Sequence, residues 1–103
     1  MVRRSTWRIP IRLNVILSCG SRVSTGTVTN ISEKGMFINA EVTGYSEDSK
    51  FDISIPLKEG VLHVPGKLVR LSKINGSSNG MGVELTDPPQ NYLEFVENLL
   101  YVL

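Results

Sequence analysis

Apolar residues recur at every second position in a succession of short runs, and that period decides the class of fold. Ile11, Leu13, Val15 and Leu17 alternate with Arg12 and Asn14, the pattern of a strand with one face buried and the other in water. Phe51, Ile53, Ile55 and Leu57 repeat it, with Asp52, Ser54 and Pro56 between them. Val23 to Ile31 is rich in β-branched residues, Met36 to Ala40 forms a further short run, and Met81, Val83 and Leu85 form the last. Such runs bounded by turn residues read as strands. The turns fall at Gly20-Ser21, at Ser32 to Gly35, and at Asn75-Gly76-Ser77-Ser78-Asn79-Gly80, which reads as the most flexible loop. The run from Val61 to Ile74 is longer and is interrupted by Pro65-Gly66, which predicts an edge or a bulge there.

Six short strands at this spacing favour a closed antiparallel barrel, because closure removes edges that an open sheet would have to protect. Beyond Asp87-Pro88-Pro89 the period changes to that of a helix. Tyr92, Phe95, Val96, Leu99 and Leu103 fall on one stripe, with Leu93 and Leu100 beside it. Asn91 followed by Glu94 predicts a capping box, and the helix is expected to cover one barrel mouth. A chain of 103 residues with 41% apolar content supports one core without metals or disulfides. The expected division is a single domain over 1–103, with an N-terminal arm over 1–9, a barrel over 10–86 and a helix over 89–102.

The formal net charge is only +1, which argues against a protein that coats nucleic acid. The charge is unevenly placed, since Arg3, Arg4, Arg8 and Arg12 precede the first acidic residue, Glu33. A local anion site fits this better than a polyanion surface. Cys19 is the single cysteine, so neither an intramolecular disulfide nor a cysteine metal cluster is available; a small, partly buried thiol is the expectation. No run approaches the length of a membrane span and the N-terminus lacks an apolar signal core, so a cytoplasmic location is expected. Catalysis gains little support. His63 is the only histidine and reads as structural or solvent-facing. Ser32 has no evident base, Asp48, Asp52 and Asp87 form no metal motif, and no phosphate-loop or dinucleotide fingerprint occurs.

Two short motifs carry the functional reading. Arg4-Ser5-Thr6-Trp7-Arg8 supplies two guanidinium groups four residues apart, and Asn30-Ile31-Ser32-Glu33-Lys34-Gly35 supplies amide, hydroxyl and glycine backbone in one turn. Together they suit a purine-bearing, doubly negative phosphate ligand. In this order, in a chain of this size and strand pattern, the pair resembles the PilZ domain, a bacterial receptor for cyclic di-GMP. Arg8-Ile9-Pro10-Ile11 and Gly80-Met81-Gly82-Val83-Glu84-Leu85-Thr86-Asp87 are similar to that family's opening and closing strands. Asn30 stands where the family has Asp or Asn.

The resemblance implies a six-stranded PilZ-like barrel with a C-terminal helix, cyclic di-GMP as ligand with no cofactor or metal, and Arg4, Arg8, Asn30, Ser32 and Gly35 as the ligand set. Arg3 is a possible additional contact, stacking on a second purine or meeting a phosphate in an intercalated ligand dimer. Arg4 and Arg8 would serve guanine edges, guanine faces or phosphates. Asn30 and Ser32 would hydrogen-bond a guanine edge, and Gly35 would permit a left-handed turn and close approach of backbone to ligand. Trp7 is expected to anchor the arm, and Glu33 and Lys34 to be exposed turn charges. Ligand is expected to order residues Met1 to Trp7 and so to alter the interaction with a protein partner. Two alternatives stay open: a PilZ-like adaptor, of pilus or motility type, that binds protein and no nucleotide, and a weak nucleic-acid-binding barrel, which the lack of an interleaved basic and aromatic surface disfavours.

Overall fold

The computed structural model describes residues 8–40, 45–46, 48–74 and 78–102. Six strands precede one helix: β1 Ile9–Cys19, β2 Arg22–Ile31, β3 Gly35–Ala40, β4 Lys50–Leu57, β5 Gly60–Ile74, β6 Ser78–Leu85 and α1 Gln90–Val102. The strands close in the order β1-β2-β3-β6-β5-β4, and every pairing is antiparallel. The expected barrel with a C-terminal helix is therefore what the chain forms.

Alternation along the strands builds the interior. Val15 and Leu17 of β1, Val28 and Ile31 of β2, Ile38 of β3, Ile53 and Ile55 of β4, Val64 and Leu68 of β5 and Met81 of β6 are all buried in one cluster. Their even-spaced neighbours Arg12, Asn14 and Ile16 lie outside. Gly20 turns the β1–β2 hairpin at φ 63°, a conformation that costs glycine little, and brings Cys19 opposite Arg22. Cys19 is a free, half-buried thiol, as composition suggested.

Three expectations need correction. Pro65-Gly66 is neither an edge nor a bulge: Pro65 pairs with Asp52, and Gly66 pairs with both Phe51 and Leu85. This is the point where the long strand β5 passes from β4 to β6, and the register shift comes later, between Leu68 and Arg70. The glycine-rich run is shorter as a loop than expected, since β6 already begins at Ser78. Asn91 and Glu94 form no capping box. Helix α1 starts at Gln90, the carbonyl of Pro89 accepts from the N–H groups of Tyr92 and Leu93 at 3.0 and 3.2 Å, and Glu94 accepts from Gln90 Nε2 at 3.5 Å. Proline donates no backbone hydrogen bond, so it suits the residue that opens the helix, and this sets the start earlier than Asn91 would.

The apolar stripe of α1 joins the core through Tyr92 and Val96, both buried, with Leu93, Phe95, Leu99 and Leu100 packed against it. Tyr92 fixes where the helix sits, because its hydroxyl donates to the carbonyl of Ser32 at 2.8 Å. The helix thus lies at the barrel end that carries the β2–β3 turn. Leu103 falls outside the described residues.

Candidate nucleotide-binding site

The site is built on the turn between β2 and β3. Ile31 pairs with Met36 and Asn30 with Phe37, so Ser32, Glu33 and Lys34 must reverse the chain. Ser32 does most of this: its N–H donates to Gly35 O at 2.8 Å, and its hydroxyl accepts from the N–H groups of Gly35 and Lys34 at 3.2 and 3.3 Å. The same hydroxyl lies 3.3 Å from Gly35 O. Serine side chains that bond nearby backbone stabilise turns of this kind. Two further bonds hold the turn from below. Leu85 N–H donates to Lys34 O at 2.8 Å, and Tyr92 donates to Ser32 O. Burial pushes the Tyr92 phenol well above its ordinary pKa of 10.0, and the carboxylate of Glu33 pushes it further the same way.

Gly35 departs from the expected left-handed turn. It opens β3, pairs with Glu84, and is not among the positive-φ glycines of the described residues, Gly20 and Gly60. What requires glycine is space, since a β-carbon here would stand 2.6 Å from the backbone oxygen of Val83. Its N–H is committed to Ser32. Ser32 is itself buried, and its hydroxyl already serves the turn, so its first role is to shape the site.

Arg8 precedes β1, where Ile9 lies opposite Ile31 and Pro10 opposite Asn30. This register carries its guanidinium to the turn, and Nη1 donates to Asn30 Oδ1 at 2.8 Å across an exposed surface. Register shifts fall nearby, between Pro10 and Leu13 in β1 and between Val28 and Asn30 in β2, and irregularities of this kind re-aim side chains out of the simple alternation. The two motifs therefore meet through Arg8 and Asn30. Arg3, Arg4 and Trp7 lie outside the described residues.

Beside this pair lies a cleft of about 550 Å³ that runs across β3, β6 and β5. Among the described residues Arg8, Lys34 and Arg70 line it with one carboxylate, Glu84, so cations predominate three to one. A larger groove of about 870 Å³ over β1 and β2 has no charged residue among the described residues of its lining and so offers a phosphate no ion pair from them. Sequence reasoning missed Arg70; Lys34 is the exposed turn charge that was expected, and it also lines the cleft. Arg70 follows the register shift in β5 and lies opposite Gly82, and no sequence signal announces where such a shift falls. His63 is solvent-facing, 3.4 Å from Asp52 and 3.3 Å from Ser54. Among the described residues no three metal-ligating side chains cluster, and no helix is long and apolar enough to cross a membrane.

A closed six-stranded barrel with a C-terminal helix, carrying an arginine beside an Asn-x-Ser-x-x-Gly turn over a cationic cleft, defines the class of fold. The chain belongs to the PilZ family: the PilZ domain matches residues 2–102. Its fold is similar to that of the PilZ domain with c-di-GMP of YcgR from Escherichia coli, at 14% identity and a TM-score of 0.77, covering 99% of this chain and 92% of that one. It is similar also to the PilZ domain of CeSA from a cellulose-synthesizing bacterium, at 22% identity and a TM-score of 0.66, covering 94% of each. The Bacillus subtilis inhibitor of motility MotI/DgrA aligns at 15% identity and a TM-score of 0.78, over 98% of this chain but 51% of that one; this chain spans about half the length of that relative. No curated protein matches the sequence.

Proposed function

We propose that this chain is a cyclic di-GMP receptor domain with no catalytic role, binding its ligand at the Arg8–Asn30 pair and the adjoining cleft. The observation that carries this reading is the 2.8 Å hydrogen bond that joins the two motifs across 22 residues of sequence, at the rim of a cleft in which cations outnumber carboxylates. Arginine presents a planar fork and a flat face, so it suits both phosphate oxygens and guanine rings. Asn30 accepts from Arg8 through Oδ1 and keeps its amide N–H groups for a guanine edge. Ser32 and Gly35 hold the turn that presents these groups, and Arg4, with Arg3 as a further contact, completes the ligand set from the arm.

On this reading the ligand draws residues 1–7 onto the barrel exterior, and the altered surface is what a protein partner reads. Support for the ligand comes from family membership and from the likeness in fold to domains described with c-di-GMP, among them a Klebsiella MrkH–c-di-GMP complex at 12% identity and a TM-score of 0.72. Isothermal calorimetry with cyclic di-GMP, beside GMP and a single-stranded oligonucleotide, tests the proposal. Binding of cyclic di-GMP alone is expected; no heat from it, or a preference for the oligonucleotide, overturns the reading. Hydrogen exchange over residues 2–9 with and without ligand tests the arm, and equal protection in both states removes that part.

A further inference from the structure

Helix α1 has two working flanks. One is tied to the ligand turn through Tyr92 and Ser32. The other, with Glu94, Phe95 and Asn98, faces the hairpin between β4 and β5 at Leu57 and Val61, and a groove of about 340 Å³ lies between them. Apolar surface here is costly to leave in water: Val61 in the groove is 51% exposed, and Tyr101, one turn beyond Asn98 on α1 and outside the groove lining, is 81% exposed. Its charged rim has one sign. Glu59 comes from the hairpin turn and Glu94 from the helix, Glu97 lies on the same outer side of α1, and α1 contains no lysine, arginine or histidine. Lys58 shares the hairpin turn but does not line the groove.

We propose that this groove docks a segment of a partner protein in which an apolar or aromatic side chain is flanked by lysine or arginine. An aromatic anchor filling a small pocket is the usual energetic centre of an interface, and Phe95 and Val61 line such a pocket. The glutamates decide the partner's charge, because same-sign residues brought to this rim repel and opposite ones steer association. A second copy of the chain is a poor occupant, since a two-fold interface would set Glu94 and Glu97 against themselves. The groove stands on its own residues. Its link to signalling rests on the receptor reading, because α1 is the one element that both lines the groove and hydrogen-bonds the ligand turn.

The test is selection from a library of random displayed peptides on the full chain, counter-selected on the exposed-site variant Val61→Asp. Enriched sequences are expected to pair an apolar residue with flanking Lys or Arg, to lose about tenfold or more in affinity on Glu94→Gln, and to weaken as salt rises. Enrichment of neutral or acidic peptides, binding indifferent to Val61 and Glu94, or a Val61-dependent dimer in sedimentation each overturns the proposal. Titrating cyclic di-GMP onto the same variants keeps the two claims apart. Val61→Asp and Glu94→Gln leave nucleotide affinity unchanged if the groove is separate, and absence of nucleotide binding leaves the peptide result standing.

Discussion

Gly35→Ala separates the structural account of this turn from the one that sequence alone suggests. The added β-carbon would lie 2.6 Å from Val83 O and 3.7 Å from Val83 C. Both are backbone atoms of β6, held by the Met36–Val83 pairing and by the bond from Leu85 N–H to Lys34 O, so no flexible side chain can yield. Overpacking of this kind costs about 1–3 kcal/mol. Against it stands the smaller unfolded-state entropy of alanine, which favours the variant by about 0.4–1 kcal/mol where φ is compatible. The clash wins, because relief requires two paired strands to part. The expected net loss is about 1–2 kcal/mol, or roughly 4–16 °C in Tm for a domain of this size. Urea and thermal unfolding read it, and a nucleotide titration should show weaker binding because the Gly35 N–H bond to Ser32 moves with the strand. Gly20→Ala is the control. No atom lies within 4 Å of its β-carbon but φ is +63°, so asparagine, which tolerates left-handed backbone, should recover stability at 20 and not at 35. A Gly35→Ala protein as stable as its parent refutes the steric argument, and rescue at 35 by asparagine would restore the left-handed turn.

Arg8→Ala should weaken cyclic di-GMP binding at least tenfold, from the loss of charge-assisted contacts of about 1.5–3 kcal/mol, while Tm barely moves because the Arg8–Asn30 bond is exposed; calorimetry and a thermal scan check both. Arg70→Ala should reduce affinity and flatten its salt dependence, and Arg70→Lys should restore the salt dependence if only charge is needed. Tyr92→Phe should cost about 1–3 kcal/mol in urea unfolding, because the buried carbonyl of Ser32 loses its donor. The raised folded-state pKa of Tyr92 means that its stabilisation is complete below the unfolded value of 10.0 and is lost as pH rises above it, so Tyr92→Phe should fall less steeply with pH above 10.0 than its parent, by up to about 1.4 kcal/mol per pH unit.

The barrel was legible because its evidence is periodic. Strand after strand puts β-branched or aliphatic side chains on alternate positions, and the helix announces itself where the period lengthens after Pro88-Pro89. Such patterns survive without knowledge of partners. The parts that were not legible depend on pairing. The break in β5 was assigned to Pro65-Gly66 because proline and glycine are the local punctuation, yet the strand runs through them and shifts register beyond Leu68, at residues with no turn character. Gly35 was assigned to a left-handed turn by residue type, whereas the requirement for glycine comes from Val83, far along the chain. Arg70 reached the cleft through that same register shift. The capping box failed for a related reason: Asn91-x-x-Glu94 matches locally, but Pro89 had already opened the helix.

On the receptor reading, the turn and the Arg8–Asn30 pair beside it divide the work of recognition between rigidity and charge. Ser32, Gly35 and Lys34 use their backbone groups on one another, on β6 and on Tyr92, so the turn enters binding already shaped and little ordering entropy remains to be lost there. Arg8 and Asn30 form the exposed, adjustable part. A carboxylate at position 30 would hold Arg8 as an ion pair and cancel one charge at the cleft rim, whereas the amide orients the guanidinium and leaves its charge to the incoming ligand. Among the described residues Arg8, Lys34 and Arg70 are opposed only by Glu84 in the lining, so on the receptor reading the site would suit a dianionic ligand without the chain as a whole being basic. That is how a net charge of +1 is compatible with an anion receptor.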